Sequence, residues 1–176
     1  TLASELDTDG VIAEVLEGLR RVTALNTAAV WLFDENADMV TIYATHGPDL
    51  EGYIGYRVPL DEFAAEAEEA ESAIRRIHQD LLGLAQDQPL ITVPLAVGGR
   101  LIGYLVAEPR YAWLQTTDDI EIISAFASQA AIAISNARLY AAQQVEAYVT
   151  TVLLQVAEAG NAQAEEGAAL ETIACL

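Results

Sequence analysis

The chain has 176 residues, 53% of them hydrophobic, and its eight basic residues face 27 acidic ones for a formal net charge of −19. That length suits one globular domain with some tail, and that apolar share argues against disorder. The negative field repels polyanions, so neither nucleic acid nor an anionic membrane surface is expected as a partner.

In chain order, "GVIAEVLEGLRRV" at 10–22 sets Val11, Val15, Leu16 and Leu19 at helical spacing, with Arg20 and Arg21 at the end that favours cations. Val, Trp, Phe, Ile, Thr and Tyr then dominate two runs around the polar stretch Glu35 to Asp38, which predicts strands at 28–34 and 39–46. "GYRVPL" at 55–60 reads as a short third strand, ended or placed at an edge by Pro59. "DEFAAEAEEAESAIRRIHQDLLGL" follows as helix, with its acids gathered toward the start. In "PLITVPLAVGGRLIGYLVAE" two apolar strands flank Gly98-Gly99, a pair suited to the positive φ angles of a tight hairpin. Thr116 with Asp119 three residues on resembles a capping box opening a last helix. Hairpin-linked strands are antiparallel, so the fold class is α+β, a sheet of five or six strands with helices on both faces.

A span of about 20 apolar residues is needed to cross a bilayer. The best stretch, 120–141, is interrupted by Glu121, Ser124, Ser128, Gln129, Asn136 and Arg138, which reads as a buried helix. The lone Cys175 cannot form an internal disulfide, and no basic-then-apolar leader opens the chain, so a cytoplasmic setting is expected. The first residue is not Met and the last lies inside a helical pattern, which reads as a piece of a longer chain.

The last helix is apolar over nearly half its circumference, more than the ~100° stripe that one sheet covers. Ile120, Ile123, Ala127, Ala130, Ile134, Ala137 and Ala141 follow a 3–4 spacing, and small residues let helices approach closely. One side is expected to cover the sheet and these seven to meet a second copy in a parallel homodimer. The alternative is a helix buried within a single domain.

With "VWLFDE" ahead of them, "ITVPLAVGGRLIGYLVAE" and "SQAAIAISNARLYAAQQ" resemble the GAF domain, a sensory relative of PAS domains, over about residues 5–145. The resemblance implies first and last helices on one face and a small-molecule pocket on the other. It also implies parallel dimers relaying signals along the helices to a covalently linked output domain such as a kinase or phosphatase. The cyclic-nucleotide signature of the family is absent, and no cysteine in the pocket segment could attach a bilin. With only His46 and His78, haem has a poor ligand set, so no cofactor is expected. Tyr53, Tyr56, Arg57 and Phe63 fall where the family has its pocket rim, and Tyr111 and Trp113 precede the last helix. Aromatics beside a cation suit a small ligand, and the same residues would equally serve ordinary packing.

No enzyme is expected. Gly98 to Gly103 lacks the Lys-Ser/Thr pair of a phosphate loop, no G-x-S-x-G elbow occurs, and a single cysteine cannot run the methionine sulfoxide chemistry of one GAF branch. His46 reads as a solvated or capping residue, His78 as a surface one, and the glutamates from Glu62 to Glu71 as a solvated face rather than a metal site. Two function classes remain: a small-molecule sensor, and a ligand-free dimerisation and relay module. Residues 1–145 form the sensory domain. Residues 146–176 read as a continuing linker helix and the start of a second, truncated GAF-like domain. "GAALETIACL" at 167–176 lies on "GVIAEVLEGL" at 10–19 without a gap, and "AEAGNAQAEEG" is expected to break the helix before it.

Overall fold

The computed structural model describes residues 2–34, 38–47, 50–59, 67–111 and 116–174. Helix α1 (Leu2–Val22) leads into β1 (Leu25–Phe33) and β2 (Met39–His46), and a 3-10 turn (Glu51–Tyr53) precedes the short β3 (Arg57–Pro59). Then come α2 (Ala67–Leu82), β4 (Ile91–Val97), β5 (Arg100–Pro109) and α3 (Thr117–Ala174). The five strands form one sheet in the order β3-β2-β1-β5-β4, each neighbour antiparallel. This is the α+β fold with helices on both faces that the sequence implied.

Local chemistry fixes the joints. Gly98 and Gly99 sit at φ of 59° and 81°, two successive positive angles that turn β4 into β5. Gly103 has a different reason to be glycine: a Cβ there would lie 2.0 Å from the Trp31 carbonyl oxygen, so β5 passes β1 too closely for any side chain. At the head of α3 the capping box is reciprocal. The Asp119 amide donates to Thr116 Oγ1 at 3.3 Å, and the Thr116 amide donates to Asp119 Oδ2 at 3.2 Å.

Alternation along the strands builds two apolar layers. On one face Leu25, Ala28, Val30, Leu32, Leu105 and Ala107 meet Ile12, Leu16 and Leu19 of α1 and Ile123, Ala127, Ala130 and Ile134 of α3. A Cβ on Gly18 would sit 3.0 Å from the Phe126 ring, so the two helices meet at close range. On the other face α2 covers Ala29, Trp31, Phe33, Ile42, Tyr104 and Val106 with Ala70 and Ile74.

This packing corrects two expectations about α3. Ile123, Ala127, Ala130 and Ile134 are almost fully buried within the chain's own core, so no partner helix reaches them. Burying each on the sheet already removes it from water, at roughly 1.5–3 kcal/mol for an isoleucine. Of the other proposed seam residues, Ile120 and Ala141 are exposed and Ala137 is half-buried. The expected break over 157–167 is also absent, because α3 is one unbroken helix of 58 residues. A single Gly160 costs only about 1 kcal/mol relative to alanine, and the alanines and glutamates around it favour continuation. By length and composition alone, Thr117–Ala157 is apolar enough to cross a membrane. Its 123–134 portion packs on the sheet instead.

Candidate functional site

The α2 face of the sheet is where polar chemistry enters the interior. Antiparallel partners share a face, so the register arranges this surface in rows. Trp31 lies between Tyr104 and Ile42, and the next row runs Thr92, Val106, Ala29, Thr45. A further step along the strands pairs Thr27 with Glu108.

His78 of α2 sits over the first row. Ala70, Ile74 and His78 follow one another at a spacing of four and form the buried ridge of this helix. The expectation of a surface histidine is therefore wrong, since His78 is 0% exposed. An indole N–H only donates, and Trp31 Nε1 donates to His78 Nδ1 at 3.3 Å, with the rings edge-on at 6.1 Å. The imidazole proton is thereby placed on Nε2, which is buried and has no partner. Burial lowers the His78 pKa to about 4, so the ring is neutral. Burial, and then the Glu71 carboxylate, push the Tyr104 phenol up.

The rows toward the open end are polar as well. Thr45 Oγ1 and Thr92 Oγ1 are buried without hydrogen-bond partners. Beyond them Glu108, 7% exposed, accepts from the Thr27 hydroxyl at 3.3 Å and from the Gln88 amide at 3.2 Å. The loop bearing Gln88 is tied to α2 by Gln79, whose Nε2 donates to the carbonyls of Ala85, Gln86 and Gln88 at 3.2–3.4 Å.

The aromatic candidates fare unevenly. Tyr53 and Tyr56 are brought together, rings edge-on at 6.0 Å, with Tyr53 half-buried against the α2-side layer and Tyr56 exposed. Arg57 follows on β3 and is exposed, as is Tyr111 just past β5. Phe63 and Trp113 lie outside the described residues. The sequence reading passed over Thr27, Thr45, Gln88, Thr92 and Glu108. The signal for Glu108 was there, because alternation in "YLVAE" puts it on the face of Tyr104 and Val106. Among the described residues, no three His, Cys, Asp or Glu side chains group to hold a metal. The layer thus offers hydrogen-bond donors, hydroxyls and the Glu108 carboxylate, which is chemistry for binding.

The sheet, with terminal helices on one face and a covering helix over a partly polar layer on the other, defines the α+β sensor-domain architecture. The chain belongs to the GAF domain family, whose pattern matches residues 7–134. The GAF domain/HD domain protein from Geobacter sulfurreducens is similar at 20% identity and a TM-score of 0.58, over 76% of this chain and 95% of that one. The GAF-B domain of DevS from Mycobacterium smegmatis matches at 20% identity and 0.53, over 79% and 98%. The PixJ GAF domain from Thermosynechococcus elongatus, in its blue-light absorbing form, matches at 20% and 0.56, over 84% and 95%. No curated relative matches the chain.

Proposed function

We propose that this chain is the sensory or regulatory GAF module of a multidomain signalling protein. It binds a small molecule on the α2 face and relays its occupancy through a parallel dimer of α3 helices to a linked output domain. The observation that carries this reading is the course of α3. Past Arg138, whose guanidinium donates to the Phe33 carbonyl at 3.1 Å, the helix is exposed throughout to Ala157, with Ala141, Ala142, Val145 and Glu146 sharing a hollow with Asp34. Yet Val145, Val149, Val152 and Val156 repeat at 4-3-4 spacing, and all are exposed. Eleven residues make about three turns, so this row continues the face of Ile134 directly. An exposed valine seam of that spacing is what a second helix covers. A ligand that favours one packing of the two helices shifts their equilibrium, and the shift travels along α3.

In this reading the module is not an enzyme, uses no cofactor and works in the cytoplasm without nucleic acid or membrane. Residues 146–176 are the connecting segment, helical as far as Ala174, and the stretch from Gly167 onward opens a second GAF-like unit. The Geobacter protein, with a GAF and an HD domain in its name, supports the idea of a GAF unit working beside a further domain. A second reading, a dimerisation and relay module with no ligand, draws on Trp31, Ile42 and Tyr104, which fill the middle of the α2-side layer. A thermal-shift screen with nucleotides, amino acids and aromatic metabolites separates the two, because a saturable ligand raises the melting temperature by mass action.

Sedimentation velocity at tens of micromolar tests the seam. The unmodified chain sediments as a dimer, and the double variant Val149→Glu, Val152→Glu sediments as a monomer with an unchanged circular dichroism spectrum. A monomeric unmodified chain overturns the relay.

A further inference from the structure

We propose that Glu108 anchors a subsite for an organic ammonium group, so that the small molecule taken on the α2 face is a compact amine with a hydrogen-bond acceptor at its other end. The proposal rests on the sensory reading above and names its ligand class. Its starting point is a buried carboxyl group with no basic side chain paired to it. All eight basic residues of the chain are arginines, at positions 20, 21, 57, 75, 76, 100, 110 and 138. Among the described residues, which include all eight, the ion pairs join Arg20 and Arg21 to Glu17, and none reaches Glu108. Its two hydrogen bonds come from the neutral donors Thr27 and Gln88. A carboxylate taken out of water without an opposite charge is costly. Those two donors would be served as well by an uncharged glutamine, so they do not account for a carboxyl group at this position. A carboxylate has about four acceptor sites, and two remain.

The second observation lies further along the same face. His78 Nε2–H is a buried donor with nothing to donate to, and the hydroxyls of Thr45 and Thr92 are buried and unpartnered in the row between. A molecule lying along the strands would place its ammonium on Glu108, displacing the Gln88 amide, and its carbonyl or hydroxyl toward His78 Nε2. The Trp31 and Thr27 rows lie four residue steps apart, about 13 Å of backbone, which bounds the ligand's length. An anionic ligand would meet Glu108 and the −19 field head-on. A divalent metal would want several oxygen ligands, and no acidic group of three is present among the described residues.

Thermal shift and calorimetry on the 176-residue chain decide the matter, with 4-aminobutanamide, 5-aminopentanamide and ethylammonium as probes. Acetamide, propionamide, sodium acetate and KCl at matched concentrations are the controls. The amino amides raise the melting temperature saturably, ethylammonium less so, and the controls do not. Glu108→Gln loses roughly tenfold or more in affinity, the worth of a charge-assisted hydrogen bond. Gln88→Lys provides a check independent of whether Glu108→Gln folds. Its tethered ammonium occupies the subsite, raising the melting temperature of the free protein and abolishing the response to amines. Amines that bind Glu108→Gln or Gln88→Lys as tightly as the unmodified chain overturn the proposal. So does a shift reproduced by KCl, or a response to neutral or anionic compounds in place of amines, and each of these leaves the sensory reading standing. If the amines and the broader metabolite screen alike move nothing, the sensory reading falls with it.

Discussion

At the scale of single residues, His78 couples the α2-side layer to pH. The group has an ordinary pKa of 6.5 in the unfolded chain and one lowered to about 4 by burial in the folded one. Above pH 6.5 both states hold it neutral and it contributes no pH dependence. Between 6.5 and 4 the unfolded chain takes up a proton that the folded chain refuses, so stability falls as the pH falls. The full difference amounts to about 3 kcal/mol at pH 4 and below. Urea denaturation at pH 7.5, 6.0, 5.0 and 4.0 checks this when the unmodified chain is compared with His78→Leu. The variant is less stable at neutral pH, since Trp31 Nε1 loses its acceptor. It also loses about 3 kcal/mol less than the unmodified chain on acidification, the common carboxylate contribution cancelling in the comparison. Parallel curves for the two proteins would remove His78 as the cause.

At the scale of elements, α3 shows which parts of a fold a sequence reveals. Its start was legible because Thr116 and Asp119 are a local device, as Gly98-Gly99 are for the hairpin. The helical stripe from Ile123 to Ile134 was legible too, but not what covers it. A 3.6-residue period says that one face of a helix is buried and is silent on whether the cover is a sheet or another chain. The α2 ridge of Ala70, Ile74 and His78 had the same periodicity, yet one polar member among arginines disguised it. Glu108 escaped notice for the opposite reason, a charge that reads as the polar end of a strand until the register places it beside Thr27. Because the α3 stripe is divided in use, its halves should respond differently to the same insult. Ala130→Glu puts an unpaired charge beneath the sheet, where Ala130 is 2% exposed, at a cost of several kcal/mol. The domain should lose its cooperative melt. Val152→Glu changes an exposed position beyond the sheet and leaves the melt of the domain intact at concentrations where the chain is monomeric. If Ala130→Glu folds normally and merely dissociates, the core assignment of that face is mistaken.

At the scale of the whole molecule, the seam and the net charge pull in opposite directions. Pairing two chains that each carry −19 opposes association, and a parallel arrangement sets like against like. No basic residue follows Arg138, whereas Glu146, Glu158, Glu165, Glu166 and Glu171 punctuate the remainder of α3. In a parallel pair these glutamates add to one another's repulsion, with no basic residue in the sequence after Arg138 to relieve it. Attraction is left to apolar burial at Val145, Val149, Val152 and Val156, which salt does not weaken, while the repulsion is screened over about 10 Å at 0.1 M ionic strength and about 3 Å at 1 M. The dimer dissociation constant should fall as NaCl rises from 0.05 to 0.5 M, and the melting temperature should rise with protein concentration more steeply at high salt, where the tighter dimer is more populated. Sedimentation equilibrium across that salt series gives the sign directly. A dissociation constant that increases with salt would mean that ion pairs hold the two chains together, and the valine seam could not then be the contact.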